Sequence, residues 1–150
     1  MFTVVIRTEE SDEKLFENPG KIVEDGGEIL FAKIGTKIVG TCALIKKSND
    51  TYELGKMAVD EAYQGKSIGR KLLEYSIDFL RMRGAKTLTL ETNRRLKAAV
   101  RLYERLGFVI DTDAPPSYYS RVDLTMKLDL TQPTVEALPS STKQKVRSAK

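Results

Sequence analysis

The sequence predicts one mixed α/β domain, and three observations lead there. A chain of 150 residues is one domain by size and long enough to bury a substantial core. Short β-rich runs alternate with two longer segments of helical periodicity, in the order strands, helix, strand, helix, strand, strand. A composition of 41% hydrophobic and 31% charged residues is that of an ordinary soluble globular protein, and no apolar run is long enough to span a bilayer.

Phe2 to Arg7 is β-rich and reads as the first strand. Residues 8–27 are polar, with Leu15-Phe16 and Ile22-Val23 as the only apolar pairs. Two short helical turns fit there, the second entered through Pro19 and stopped by Gly26-Gly27. Glu28–Ile34 and Lys37–Ile45 form a hairpin around Gly35-Thr36. Tyr52–Val59 is the next strand, and Gly55 within it is a bulge site. Ile68, Leu72, Leu73, Ile77 and Leu80 then fall on one face of a long helix that Gly84 terminates. Lys86–Thr92 alternates as a strand. Thr92 or Asn93 is positioned to cap a helix whose apolar face is Leu96, Ala99, Val100, Tyr103 and Leu106, with Gly107 as its stop. Phe108–Ile110 and Arg121–Leu130 are the last strands, separated by a loop bearing Pro115-Pro116. Residues 131–150, with two prolines and three serines, read as a flexible tail after a domain spanning 1–130.

The segment from Met57 to Tyr75 organises the rest. It passes from a strand end through a turn carrying Gly65 and Gly69 into the long helix. A glycine turn at a helix start presents unpaired backbone N–H groups suited to a phosphate or pyrophosphate, and Lys66 and Arg70 add positive charge. Two familiar phosphate motifs fail here. A Walker A loop would need glycine where Asp60 stands, and Gln64 to Gly69 supplies only two of the three glycines of a dinucleotide fingerprint.

Other chemistry is excluded by composition. The chain has no histidine, which removes Ser-His and Cys-His catalysis and the commonest zinc ligand. The single cysteine, Cys42, sits in an apolar strand pattern and reads as a small core residue, which suits a reducing cytoplasm. The net charge is +4, but residues 131–150 carry four cations against Glu136, or +3, leaving +1 for the body. A nucleic-acid footprint is therefore weak.

Gln64-Gly65-Lys66-Ser67-Ile68-Gly69 resembles the acyl-CoA pyrophosphate loop of the GNAT acetyltransferases, Arg/Gln-x-x-Gly-x-Gly/Ala, with Ser67 where the family usually has glycine. Ala99, Tyr103, Gly107 and Phe108 match the family's second signature, a helix carrying alanine and tyrosine before Gly-Phe. The resemblance runs from about Phe2 to Leu130 and implies a mostly antiparallel mixed sheet with helices on both faces. It also implies acetyl-CoA as co-substrate, without a metal, and direct acetyl transfer to a primary amine.

On that resemblance, Met57, Ala58 and Val59 hold the pantetheine arm with backbone groups, as an added strand would be held. Gln64, Gly65, Lys66, Ser67, Ile68, Gly69 and Arg70 seat the pyrophosphate, and Asn93 and Ala99 complete the cofactor-binding set. Tyr103 is the expected acid for the departing thiolate. Glu53 is the expected base, with a pKa raised towards neutrality by an apolar cleft. Tyr119, Arg121 and Asp123 share one face of the last strand, where Arg121 would clasp a carboxylate and Asp123 attract an ammonium. That set suits an amino acid or a related small polar amine. A protein or peptide acetyltransferase and a non-catalytic acyl-CoA sensor remain alternatives. Open sheet edges would permit a homodimer.

Overall fold

The computed structural model describes residues 2–6, 19–117 and 119–132. The first of the two expected helical turns and the tail beyond residue 132 lie outside the described residues. Seven strands form one sheet in the order β1-β2-β3-β4-β5-β7-β6. They are β1 Thr3–Ile6, β2 Glu28–Ile34, β3 Lys37–Lys46, β4 Thr51–Val59, β5 Thr87–Thr92, β6 Val109–Ile110 and β7 Leu124–Asp129. Every neighbouring pair is antiparallel except β4 and β5, which are parallel. Among the described residues the α-helices are α1 Pro19–Glu24, α2 Ile68–Met82 and α3 Lys97–Arg105.

The parallel pair follows from the long crossover between its strands, because a hairpin cannot return a chain in the same direction. Helix α2 makes that crossover and buries Ile68, Leu72, Leu73, Ile77 and Leu80, the stripe its periodicity predicts. Those side chains meet Leu30, Ala32, Cys42, Leu44, Leu54, Leu88 and Met126 in the main core. The opposite sheet face carries Ile29, Phe31 and Ala43, against which α1 places Ile22 and Val23. Helices therefore cover both faces, as the family resemblance implies.

Both longer helices end alike. Ala85 N–H donates to the Leu80 carbonyl and Gly84 N–H to that of Arg81, with Gly84 at φ 84°. After α3, Phe108 N–H donates to Tyr103 and Gly107 N–H to Glu104, with Gly107 at φ 103°. These are Schellman caps, and only glycine enters the left-handed conformation at their turning point without strain.

Cys42 lies at the centre of the core, fully buried, with its sulfur 3.5 Å from the Ser76 hydroxyl. Burial pushes its thiol up to about 11. At pH 8 only about one molecule in a thousand would carry the reactive thiolate. Dithionitrobenzoate is expected to leave the native protein unlabelled over minutes and to label it fully in guanidinium. Rapid labelling of the native state would show that the core opens locally.

Candidate functional site

The site is created where two adjacent strands separate. β4 and β5 pair from Thr51↔Thr87 to Leu54↔Leu90 and no further. β5 continues to Thr92 against β7, while β4 continues to Val59 against β3. The cause lies in β4. Ala43 pairs with Gly55 but Thr41 pairs with Ala58, so β4 carries one residue too many between them. Lys56 absorbs the irregularity at φ 51°. The bulge bends the strand, and the β5-facing backbone beyond Leu54 loses its ladder partner. A cleft of about 740 Å3 occupies the gap, with Glu53, Gly55, Met57, Leu90, Asn93 and Tyr103 among its walls.

At the end of β4 the chain makes a 3-10 turn, Glu61–Tyr63, capped by Asp60, whose carboxylate accepts from Ala62 N–H at 2.9 Å. The Gln64 side-chain amide donates to the Val59 carbonyl at 3.1 Å and ties the loop to the strand. That carbonyl is thus engaged; Met57 lines the gap, whereas Ala58 pairs with Thr41 of β3 and neither it nor Val59 is part of the cleft wall. The first four N–H groups of α2, from Ser67 to Arg70, have no carbonyl within the helix to bond. A side chain at Gly65 would meet open space, and a methyl at Gly69 would touch only Val59 Cγ2 at 3.7 Å. The loop is therefore an open run of amide donors at a positive helix end, chemistry suited to an anionic group such as a phosphate. Arg70 is held by Glu74 at 3.1 Å, and Lys71 lies 3.5 Å from the same carboxylate.

Ser67 sits left-handed at φ 65°, ψ 18°, and its side chain makes no capping hydrogen bond. A residue with a Cβ is strained there by about 1 kcal/mol, and no cap bond offsets it. Ser67→Gly is expected to raise stability by about 1 kcal/mol, seen as a melting midpoint higher by a few degrees. A lower midpoint would mean that the hydroxyl contributes more than the backbone strain costs.

Tyr103 borders the cleft from α3. Its backbone carbonyl accepts from Phe108 N–H in the cap, and its ring packs on Phe108 with centroids 5.8 Å apart. The Gly107-Phe108 pair is thereby the device that fixes this tyrosine. Among the described residues no hydrogen-bond partner faces its hydroxyl, and burial raises the phenol above its ordinary value. Glu53 pairs with Ile45 across the sheet and also lines the cleft. Its surroundings are less apolar than expected, because the Lys47 ammonium lies 3.5 Å from its carboxylate.

The last strand begins at Leu124, three residues later than expected, so Tyr119, Arg121 and Asp123 do not form an alternating strand face. Tyr119 and Arg121 belong to a turn closed by Val122 N–H on the Tyr119 carbonyl. Both line the cleft, with the guanidinium 5.1 Å from the Tyr119 ring. Asp123 is not part of the cleft wall. Its carboxylate accepts from Arg94 N–H at 2.8 Å and lines a neighbouring hollow instead. Neither Thr92 nor Asn93 caps α3, which starts at Lys97 with Leu96 at its N-cap; Leu96 N–H bonds the Asn93 carbonyl in the turn before it. The Asn93 side-chain amide donates to the Arg121 carbonyl at 2.7 Å and accepts from Arg95 N–H at 2.8 Å. Asn93 thus lines the cleft while fastening the Arg121 turn to it. Ala99 is half-buried on α3 and is not part of the cleft wall. Lys56, Glu91, Arg95 and Leu96, absent from the sequence expectation, also form the wall. The only sequence signal for Lys56 is the neighbouring Gly55 bulge.

Comparison with known proteins bears on this geometry. Residues 2–108 match the family described as the acetyltransferase (GNAT) family. A 59-residue stretch, 39% of the chain, is 49% identical to the [ribosomal protein bS18]-alanine N-acetyltransferase of Escherichia coli K12 and covers 40% of that protein. The crystal structure of the E. coli ribosomal-protein-S18-alanine N-acetyltransferase superposes with a TM-score of 0.69 at 28% identity, over 93% of this chain and 99% of that one. A GNAT acetyltransferase from Elizabethkingia anophelis, solved with acetyl-CoA bound, shares the fold at a TM-score of 0.65 and 21% identity, over 85% of this chain and 97% of that one.

Proposed function

Since the chain belongs to the GNAT acetyltransferase family, we propose that it is an acetyl-CoA-dependent N-acetyltransferase acting on a primary amine of a small polar molecule. The observation that carries this reading is the parting of β4 from β5 beyond Leu54 and Leu90, beside a glycine cradle and with Tyr103 at its edge. When bound, acetyl-CoA supplies the acetyl thioester.

Met57, at the parted end of β4, offers backbone groups to the amide-rich pantetheine arm, in the way a strand accepts a neighbour. The N–H groups around Gly65 to Arg70 receive the pyrophosphate, with Lys66 and Arg70 adding charge. Glu53 takes a proton from the incoming ammonium, directly or through a water, so that the free amine can attack the carbonyl carbon. The new C–N bond forms as the C–S bond breaks. Tyr103 gives its phenolic proton to the departing sulfur, and the proton shed by the nitrogen as the amide forms restores the phenol through solvent; burial, by favouring the neutral phenol, keeps that proton available. Nothing in this scheme needs a covalent enzyme intermediate, and among the described residues no His/Cys/Asp/Glu group is arranged to hold a metal.

Free-thiol release from acetyl-CoA on addition of a panel of amines tests the reading. Release that depends on both acetyl-CoA and an amine supports it. Tight acetyl-CoA binding with no release for any amine would favour the sensor alternative.

A second reading, transfer to a protein amino terminus, is favoured by the E. coli relatives, which are named for a ribosomal-protein alanine. Peptides beginning with alanine belong in the same panel.

A further inference from the structure

The walls of the cleft are not neutral. Lys56, Arg95 and Arg121 line it as cations, and Glu53 and Glu91 as carboxylates. Glu53 is already matched by Lys47. Three cations then face Glu91 alone. Among the described residues, none of the three cationic side chains is paired with a carboxylate, although Arg121 stacks on Tyr119.

Lys56 adds an independent observation. Tyr52 and Leu54 point into the main core, and regular alternation would send residue 56 after them. The bulge instead holds Lys56 left-handed at φ 51° and exposed, while Met57 takes the place against the core. A lysine in that conformation is strained, and such strain collects at sites that need a side chain re-aimed. Arg121 is aimed by a separate device, the Asn93 amide bonded to its carbonyl at 2.7 Å. Two unrelated pieces of local structure therefore turn cations into one cleft.

These three cations stand apart from the proposed pyrophosphate seat. The cradle for a pyrophosphate lies at residues 64–70, beyond the end of β4, and neither Lys66 nor Arg70 lines the cleft.

Building on the transferase reading, we propose that the acceptor carries an anionic group, a carboxylate, close to its reacting amine, and that Lys56, Arg95 and Arg121 select it. Glu53 faces the amine, and the three cations face the carboxylate. The same chemistry is presented by a free acidic amino acid and by a peptide amino terminus followed by acidic residues.

Kinetics on matched acceptors test this. Glutamate is compared with its fully amidated counterpart, and an Ala-Glu-Glu peptide with Ala-Gln-Gln. The wild type is expected to prefer the carboxylate member of at least one pair by tenfold or more in kcat/KM, and the pair showing it identifies the source. Lys56→Gln, Arg95→Gln and Arg121→Gln are each expected to raise the carboxylate acceptor's KM severalfold while the acetyl-CoA KM stays unchanged. Equal use of amide and carboxylate by the wild type would overturn the inference while leaving the transferase reading intact. So would a raised acetyl-CoA KM in the Gln variants, which would assign the cations to the coenzyme. Acetyl-CoA binding without thiol release for any acceptor would remove the transferase reading and this inference with it.

Discussion

Gly69→Glu is expected to weaken acetyl-CoA binding by about a hundredfold or more, while the variant melts within a few degrees of the wild type. Gly69 is the second residue of α2, and its N–H is one of the four left unbonded by the helix. A Cβ there would meet only Val59 Cγ2 at 3.7 Å, an ordinary contact, so the fold has room for it. A carboxylate in the first helical turn is favourable to the helix dipole, by about 0.3–1 kcal/mol, so stability should not fall. The same carboxylate would stand in the proposed pyrophosphate seat. Two like charges about 4 Å apart repel by roughly 1–4 kcal/mol near a protein surface, and a hundredfold loss is about 2.7 kcal/mol. Gly69→Ala separates charge from bulk, and it should bind nearly as the wild type does. Calorimetry on all three proteins decides the matter. Undiminished binding by a folded Gly69→Glu variant would move the coenzyme site away from this loop.

Tyr103→Phe should lower kcat by about a hundredfold to a thousandfold with the acetyl-CoA KM little changed. The substitution removes one hydroxyl, and the ring keeps its packing against Phe108. No described residue shares a hydrogen bond with that hydroxyl, so its loss leaves no partner unsatisfied. The pH dependence has a definite sign. The acid is the neutral phenol, and burial raises its pKa above the ordinary value of 10.0. The proton is therefore held through the neutral and mildly alkaline range. A fall in kcat from this group should come at higher pH than it would for an ordinary phenol and should be missing from the Phe variant. A Phe variant of full activity would place the leaving-group acid elsewhere and strengthen the sensor alternative.

The site is an open cleft rather than a closed pocket. Glu53, Arg95 and Arg121 all reach the same gap, and its walls do not close over it in a way that would exclude a peptide. On the proposed reading the charge of the walls, not their volume, selects the acceptor, which is why the carboxylate–amide pairs are the informative substrates.

Much of this protein was determined by sequence at short range. The α2 stripe, the hairpin at Gly35-Thr36, the caps at Gly84 and Gly107 and the glycine loop each depend on residues within a few positions of one another. Helical and strand periods and left-handed glycines express themselves locally, so they are legible without coordinates. The family signature at Tyr103, Gly107 and Phe108 belongs here too, since the cap that joins them spans six residues.

The tertiary structure decided what depends on distant partners. Lys47 beside Glu53, Asp123 bonded to Arg94 and Asn93 bonded to Arg121 are pairings made by folding. They moved Asp123 out of the cleft and gave Asn93 a structural task. The bulge opposite Thr41 and Ala43 turned Lys56 outwards against the alternation of its own strand, and its offset is a property of two strands in register rather than of one. Periodicity says which face a residue should take. Only pairing across the sheet says where the period is broken, and in this protein the break in β4 is what opens the site.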